Sequence, residues 1–244
     1  MLPVKNSNGP GPIPGLDAVR IRQWAAIWGD GGLWEDVLRL SGHFWAATGD
    51  SDRLLAGHHL VLAIGNFKRQ PGRRVRPATL TSVKRLPTGV ERRISVPLDA
   101  GELTLRRDDP RTWSALSVGL PGAAVPTTTA VLASLWPDHH FVFDRRVHAP
   151  ANGLRIAGDQ SPTSGVNPDS ITPVAETFEA YDTVRSWVLD TADHLNLEPW
   201  EVERALYELS QQIRDSDNRS WREYGEAISR ILNNSALGHG PIGS

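Results

Sequence analysis

The sequence predicts a mainly α fold arranged in two lobes. Two observations lead to this prediction. Apolar residues recur at spacings of three and four in most of the chain, which places them on one face of an α-helix. An irregular, basic segment separates the first group of helical patterns from the second. A chain of 244 residues with 39% hydrophobic residues can bury a core, as one medium domain or as two small lobes that share a cleft.

The N-terminal lobe is predicted over residues 16–107, after a leader at residues 1–15 that is rich in Pro, Gly and Asn. Three helical patterns open it: LDAVRIRQWAAIW, LWEDVLRLSGHFWAA and SDRLLAGHHLVLAIG. Asp50 or Ser51 is placed to cap the third. Residues 78–106 lose this period and carry short β-branched runs between Pro and Gly, which predicts a small β-hairpin or an irregular region.

The second lobe is predicted over residues 108–235, before a tail at residues 236–244. It begins with a helix over residues 109–118, for which Asp109 is a candidate cap. A Gly-Leu-Pro-Gly turn ends that helix, and an apolar helix over residues 127–135 follows.

The rest of the second lobe is predicted to be a loop followed by helices. A composition rich in Pro, Gly, Ser and Asn over residues 149–172 predicts a long surface connection. Three further helices are predicted over residues 173–194, 199–214 and 219–233. Pro199 is suited to the first turn of the second of these helices.

Charge is distributed unevenly, although the formal net charge is only −2. Residues 66–107 contain eleven Lys and Arg against three Asp and Glu, whereas residues 174–217 contain three against eleven. A local excess of cations attracts a polyanion such as nucleic acid. The alternative, supported equally by charge alone, is that the two segments are solvated faces that attract each other.

The composition excludes several classes of protein. The absence of cysteine excludes disulfides, thiolate zinc sites, cysteine nucleophiles and cysteine-ligated iron–sulfur clusters. Adjacent histidines, as in His58 with His59 and His139 with His140, point in different directions on a helix, so we expect no metal and no cofactor. No apolar run approaches the roughly 20 residues that span a bilayer, and the start lacks a signal-peptide pattern, so we expect a cytoplasmic protein without a membrane partner.

One segment carries the candidate chemistry: residues 120–147, LPGAAVPTTTAVLASLWPDHHFVFDRRV. A turn of this kind exposes backbone N–H groups at the N-terminus of a helix, where they can bind a phosphate. Gly122 tolerates a positive φ, and Ala123 and Ala124 are small enough for a DNA backbone to approach. Taken alone, the turn is explained more simply as a tight connection between packed helices.

The whole segment resembles the helix-hairpin-helix and Gly/Pro-Asp segment of the endonuclease III superfamily of DNA glycosylases. The matching positions are Leu120, Pro121 and Gly122 in the hairpin, residues 127–135 in the apolar helix, Val142 and Phe143 in a short extended run, Asp144 as the essential aspartate, and Val147 after it. The match covers 28 of 244 residues. The helical C-terminus resembles, more weakly, a bacterial branch with an 8-oxoguanine glycosylase-like fold.

This resemblance implies a two-lobed helix-hairpin-helix glycosylase-like architecture, with double-stranded DNA across the cleft between the lobes of a monomer. Ala124 stands where the hairpin has its second glycine, and Pro126 stands where bifunctional members carry a Schiff-base lysine. A proline cannot be a nucleophile, so the resemblance implies a monofunctional enzyme that hydrolyses the N-glycosidic bond and leaves an abasic site. Asp144 would then stabilise the oxocarbenium-like transition state and activate water.

Asp144 has a structural interpretation as well, as the N-cap of a helix that begins at Arg145, and the two roles are compatible. Arg145 and Arg146 are suited equally to phosphate and to acidic neighbours. The remaining predicted DNA contacts are Thr127 and the basic run of Lys68, Arg69, Arg73, Arg74 and Arg76. Trp113 and Trp136 flank the segment and are the candidates for a base pocket.

Two other functions remain open at this point. One is a non-catalytic DNA-binding protein that keeps the hairpin, for which Ala124 and Pro126 argue. The other is an interaction module that uses an acidic helical face. Salt-sensitive DNA binding is expected of the glycosylase and of the non-catalytic DNA-binding protein, but not of the interaction module. The excised base and a role in DNA repair or in phage defence are not specified by these residues.

Overall fold

A computed structural model describes residues 17–29, 32–68, 113, 125–213 and 218–234. The described residues form eight helices and no strand, which confirms the mainly α prediction. In chain order the helices are α1 (Ala18–Ile27), α2 (Leu33–Ala46), α3 (Asp50–Lys68), α4 (Val125–Leu135), α5 (Arg145–Ala157), α6 (Phe178–Leu195), α7 (Pro199–Gln212) and α8 (Trp221–Asn234).

Several predicted elements lie outside the described residues. They are the leader, the β-hairpin or irregular region at residues 78–106, the turn at residues 120–124, the tail, and the helix at residues 109–118 except for Trp113. The predicted boundary between the lobes, at residues 107 and 108, lies there too. The division into two lobes therefore stays a prediction.

The first three helices form where the apolar spacing predicts them. Asp17 caps α1 by accepting a hydrogen bond from the backbone N–H of Arg20 at 2.9 Å. Gly32 precedes α2 with a φ of +83°, a backbone conformation that favours glycine. Helices α2 and α3 pack against each other, and Leu60 and Ile64 of α3 are fully buried.

Helix α4 is the central helix of the core. Every residue from 128 to 135 is buried, and the helix packs against both α2 and α3. The helix carries no charged side chain, and a helix of this kind is expected to be enclosed by others. The hydroxyl of Ser41 donates to the carbonyl of Ser134 at 2.5 Å and links α2 to α4.

The predicted connection at residues 149–172 is wrong at its N-terminal end. Helix α5 continues to Ala157 and contains Pro150 in its interior. Proline lacks the N–H of a helical residue and is costly there, but residues 147–156 are all buried, and their packing outweighs the local preference. The connection is therefore residues 158–177. Helix α6 also starts later than predicted, at Phe178, after its cap Thr177.

Helix α5 is held from two sides. Helix α8 crosses it closely, because a Cβ built on Gly225 would overlap the carbonyl group of Gly153. Helix α7 packs on α5 and also on α1. Pro199 opens α7 as predicted, and the side chains of Glu198 and Glu201 form a capping box at its start. The first turn of α5 is therefore fixed next to the C-terminal half of α7.

Candidate functional site

Asp144 is the N-cap of α5, as the sequence predicts. Its Oδ1 accepts a hydrogen bond from the backbone N–H of Arg146 at 3.0 Å, and its backbone is extended. The side chain is half-buried. A helix N-terminus carries a partial positive charge, so this position favours a carboxylate. The carboxylate is thus held in one orientation at the accessible end of a buried helix.

The chain leading to Asp144 is fixed by Thr129 of α4. The Thr129 Oγ1 accepts a hydrogen bond from the backbone N–H of Phe143 at 3.0 Å and lies 3.4 Å from the Phe143 carbonyl oxygen. Phe141, Val142 and Phe143 are all buried and belong to no regular element. The extended run expected before the aspartate therefore forms a buried segment that fixes the position of Asp144.

Two arginines occupy the first turn of α5. Arg145 is exposed, and its backbone N–H donates to the carboxylate of Glu176 at 2.7 Å. Arg146 is half-buried, and its Nη1 donates to the hydroxyl of Tyr207 on α7. The Arg146 Cζ also lies 5.2 Å from the centroid of the Tyr207 ring, within the range of a cation–π interaction.

The groups around Arg146 influence one another electrostatically. Burial raises the pKa of Tyr207, the Arg146 cation and its hydrogen bond oppose that shift, and the carboxylates of Asp144 and Glu208 add to it. Burial also raises the pKa of Glu208, against the pull of Arg146. Asp144, Arg146, Tyr207 and Glu208 therefore form one interacting cluster, and the phenol in it is neutral near pH 7.

An open cleft of about 330 Å³ lies beside this cluster. Three sections of chain line it: the first turn of α5, the C-terminal end of α7 and one residue of α8. Its lining residues are Arg145, Arg146, Ala149, Ser210, Gln211, Ile213 and Tyr224. Two of these residues are arginines, so the cleft suits an anionic ligand such as a phosphodiester.

A buried polar stripe lies behind the site, on the inner side of α5. His148 packs on Phe143 with the ring centroids 5.0 Å apart, and its Nε2 is 2.9 Å from the Oγ1 of Thr163. Asn152 accepts from the backbone N–H of Thr163 at 2.9 Å. Burial, followed by the nearby Arg155 cation, lowers the pKa of His148 to about 4. The imidazole is therefore neutral at pH 7 and anchors the connection after α5.

Trp113, a predicted pocket residue, lies in the core. It is fully buried, its ring meets those of His140 and Tyr181, and Arg185 lies over it at 5.5 Å. Tyr181 in turn contacts Phe143, next to Asp144. Trp113 thus supports the site from inside, and contact with an extruded base would require this aromatic cluster to open.

Trp136 and Thr127 lie at opposite ends of α4. Thr127 is half-buried in the first turn of α4. Trp136 follows the last turn, which places it roughly 10 Å along the helix axis from Thr129, and its ring meets that of Trp45. The assignments of Thr127 to a DNA contact and of Trp136 to a base pocket stay predictions.

The other predicted DNA contacts are outside the described part of the chain. These are Gly122, Ala123, Ala124, Arg69, Arg73, Arg74 and Arg76, together with the side chain of Lys68, the last residue of α3. Within the described ranges, no group of three or more His, Asp or Glu side chains is arranged to hold a metal ion. No described helix is both long and apolar enough to cross a membrane.

Sequence reasoning did not identify Tyr207, Glu208 or Glu176 as parts of the site. The sequence predicts the helix that carries Tyr207 and Glu208, but helical spacing alone does not reveal which residues of α7 face the start of α5. It predicts a helix around Glu176 as well, whereas Glu176 precedes α6. Only the packing of α5 against α7 brings these groups together.

Comparison with known proteins yields no match: no family model, no curated protein and no solved structure is similar to this chain. The interpretation of the site therefore rests on its own residues and geometry.

Proposed function

We propose that this protein is a monofunctional DNA glycosylase that removes a damaged or modified base from double-stranded DNA by hydrolysis. The observation that carries the proposal is the position of Asp144, a half-buried carboxylate at the capped N-terminus of α5, beside an open cleft with two arginines. The proposal includes the two-lobed helix-hairpin-helix architecture, a monomer and a cytoplasmic location.

The chemistry requires one well-placed carboxylate. As the bond between C1′ and the base breaks, its electrons leave with the base and positive charge develops on the sugar. A carboxylate near C1′ stabilises that charge and accepts a proton from the water that attacks C1′. The hydrogen bond from the Arg146 backbone and the Thr129 clamp on Phe143 hold Asp144 in place, so little reorganisation is needed during the reaction.

The cleft supplies the contacts that DNA needs. The backbone of DNA is a chain of phosphates, and Arg145 and Arg146 are among the residues that line the cleft. The positive end of the α5 dipole adds to this attraction. Because these cations lie next to the carboxylate in sequence, a phosphate bound to them places its deoxyribose near Asp144.

The test is base release from duplexes that carry a panel of damaged and modified bases, followed by alkali to cut abasic sites. Asn is as good a helix cap as Asp, so Asp144→Asn keeps the fold and removes the charge. Asp17→Asn is the matched control, because Asp17 caps α1 in the same way. Alkali-dependent cleavage by wild type and Asp17→Asn, but not by Asp144→Asn, supports the proposal. Equal cleavage by all three proteins contradicts it.

A non-catalytic DNA-binding protein is the second candidate, and the arginine-lined cleft favours it as much as it favours an enzyme. This candidate predicts salt-sensitive DNA binding that survives in Asp144→Asn, with no base released from any duplex of the panel. Arg145→Ala should weaken binding and reduce the slope of log K against log salt by about one. Absence of salt-sensitive DNA binding would exclude both candidates and favour an interaction module.

A further inference from the structure

The first turn of α1 shows what an arginine can do to a cap aspartate. Asp17 accepts the backbone N–H of Arg20 at its Oδ1, and the Nε of the same arginine lies 3.1 Å from its Oδ2. The cap carboxylate is therefore paired with a cation of its own helix. An arginine in the first turn thus lowers the negative charge that such an aspartate presents to anything else.

The first turn of α5 has the same components in a different arrangement. The backbone N–H of Arg146 donates to Asp144, so the root of this side chain lies beside the carboxylate. Its guanidinium, however, donates to the hydroxyl of Tyr207 and stacks on the ring of the same residue. No ion pair joins Arg146 to Asp144 among the described residues.

We infer that Tyr207 is a positioning residue: it holds the Arg146 guanidinium at the wall of the cleft and away from the Asp144 carboxylate. The inference rests on the proposed function, since it assigns the carboxylate to the sugar and the guanidinium to a phosphate of the same DNA. In this arrangement the charges of Arg146 and Asp144 serve the substrate instead of each other.

A tyrosine is suited to this task because it binds a cation without neutralising it. Burial raises the pKa of Tyr207, so the phenol stays protonated at neutral pH and accepts the hydrogen bond as a neutral group. A carboxylate in the same place would cancel the charge of Arg146. Glu208, the next residue of α7, also interacts with Arg146, but burial raises its pKa and disfavours its charged form.

The first arm of the test measures charge without any DNA. Tyr207→Phe keeps the aromatic face and removes the hydroxyl. The carboxyl carbons of Asp144 and Asp17 are followed by NMR as the pH is changed, in wild type, Tyr207→Phe and Tyr207→Phe/Arg146→Gln. The released guanidinium should move the titration midpoint of Asp144 to lower pH in Tyr207→Phe only. Asp17 serves as the internal control and should not change.

The second arm measures base release in single turnover. Loss of one hydrogen bond to a charged group corresponds to about a ten-fold fall in rate for Tyr207→Phe. In the Arg146→Gln background the same substitution should have no further effect, because no guanidinium remains to be held. An equal fall in both backgrounds means that Tyr207 acts only on the fold, and that result overturns the inference.

The two arms separate failure of this inference from failure of the proposed function. If Asp144 titrates identically in wild type and Tyr207→Phe, with unchanged melting temperature, the inference is overturned whatever the enzyme assay shows. If the midpoint moves as expected but no duplex loses a base, Tyr207 does hold Arg146, and only the proposed glycosylase activity is rejected.

Discussion

Helices α1 and α5 begin alike but are placed differently in the molecule. Each is capped by an aspartate that accepts a backbone N–H from its first turn. Helix α1 lies at the surface, with Val19 and Ile27 exposed, whereas residues 147–156 of α5 are all buried. The arginine whose backbone N–H donates to the cap pairs through its side chain with the cap itself in α1 and with Tyr207 in α5.

The difference teaches that a cap signal fixes the start of a helix and not the role of the capping side chain. At α1 the aspartate is fully explained by helix formation and an ion pair. At α5 the neighbouring helix α7 takes the guanidinium of Arg146, and the two arginines that follow the cap line an open cleft. Substitutions that treat the two caps alike will show whether this contrast is functional.

The largest expected effect concerns catalysis. Asp144→Asn should reduce base release by about 10² to 10³-fold, because removing one group that stabilises transition-state charge costs this much in other enzymes. Asp17→Asn should leave the rate within about two-fold of wild type, since its cap is retained. Single-turnover release of base, measured on the duplex that the panel identifies, gives both numbers. A similar loss in both variants would remove the contrast between the two helices.

The next effect concerns what holds α5 in place. Gly225→Ala forces a Cβ into the Gly153 carbonyl and against Ala157, so we expect a loss of about 3 kcal/mol or more in the free energy of unfolding. Gly42→Ala is the control, because Gly42 lies on the exposed side of α2 with nothing within 4 Å of an added Cβ. It should stabilise the protein by about 0.5–1 kcal/mol. Urea unfolding of both variants compares them directly.

The third effect is a pH dependence that arises from His148 of α5. His148 has a pKa of about 4 in the folded protein and about 6.5 in the unfolded chain. The contribution of His148 to the free energy of unfolding is fully present above about pH 6.5. It is lost as the pH falls from 6.5 towards 4, because the unfolded chain binds the proton more strongly than the folded protein does. The loss amounts to about 3 kcal/mol.

Replacing His148 by Gln should flatten the unfolding free energy between pH 4 and 6.5, and the exposed His194 offers the control substitution His194→Gln. Chemical denaturation at several pH values provides the measurement. An unchanged slope in His148→Gln would show that other groups determine stability in this range.

The smallest effect removes each cap entirely. Asp144→Ala and Asp17→Ala should each lower the free energy of unfolding by about 1 kcal/mol, because a backbone N–H loses its acceptor. That corresponds to roughly 2–4 °C in melting temperature for a chain of this size. Thermal melts compare the two variants. Equal losses of stability together with unequal losses of activity would show that the two caps contribute equally to the fold and that only Asp144 contributes to activity.

Much of the helical framework could be predicted because it follows local spacing. The helices at α1, α2, α3 and α7 fall within a few residues of their predicted bounds, and Pro199 and Asp144 have the predicted positions. The interior position of Pro150 in α5 is not predictable in this way, since its local cost is visible in the sequence and the burial that compensates it is not. The burial of Trp113 also depends on partners far along the chain, such as Tyr181.

The sequence by itself determined where helices run, which aspartate begins α5 and which arginines follow it, because periodicity and capping act over a few residues. The tertiary structure alone decided that Gly153 meets Gly225, that Tyr207 takes the guanidinium of Arg146, and that a cleft opens beside them. These contacts join residues 61 to 72 positions apart in the chain. Such pairs arise from the packing of whole helices, and no local pattern encodes them.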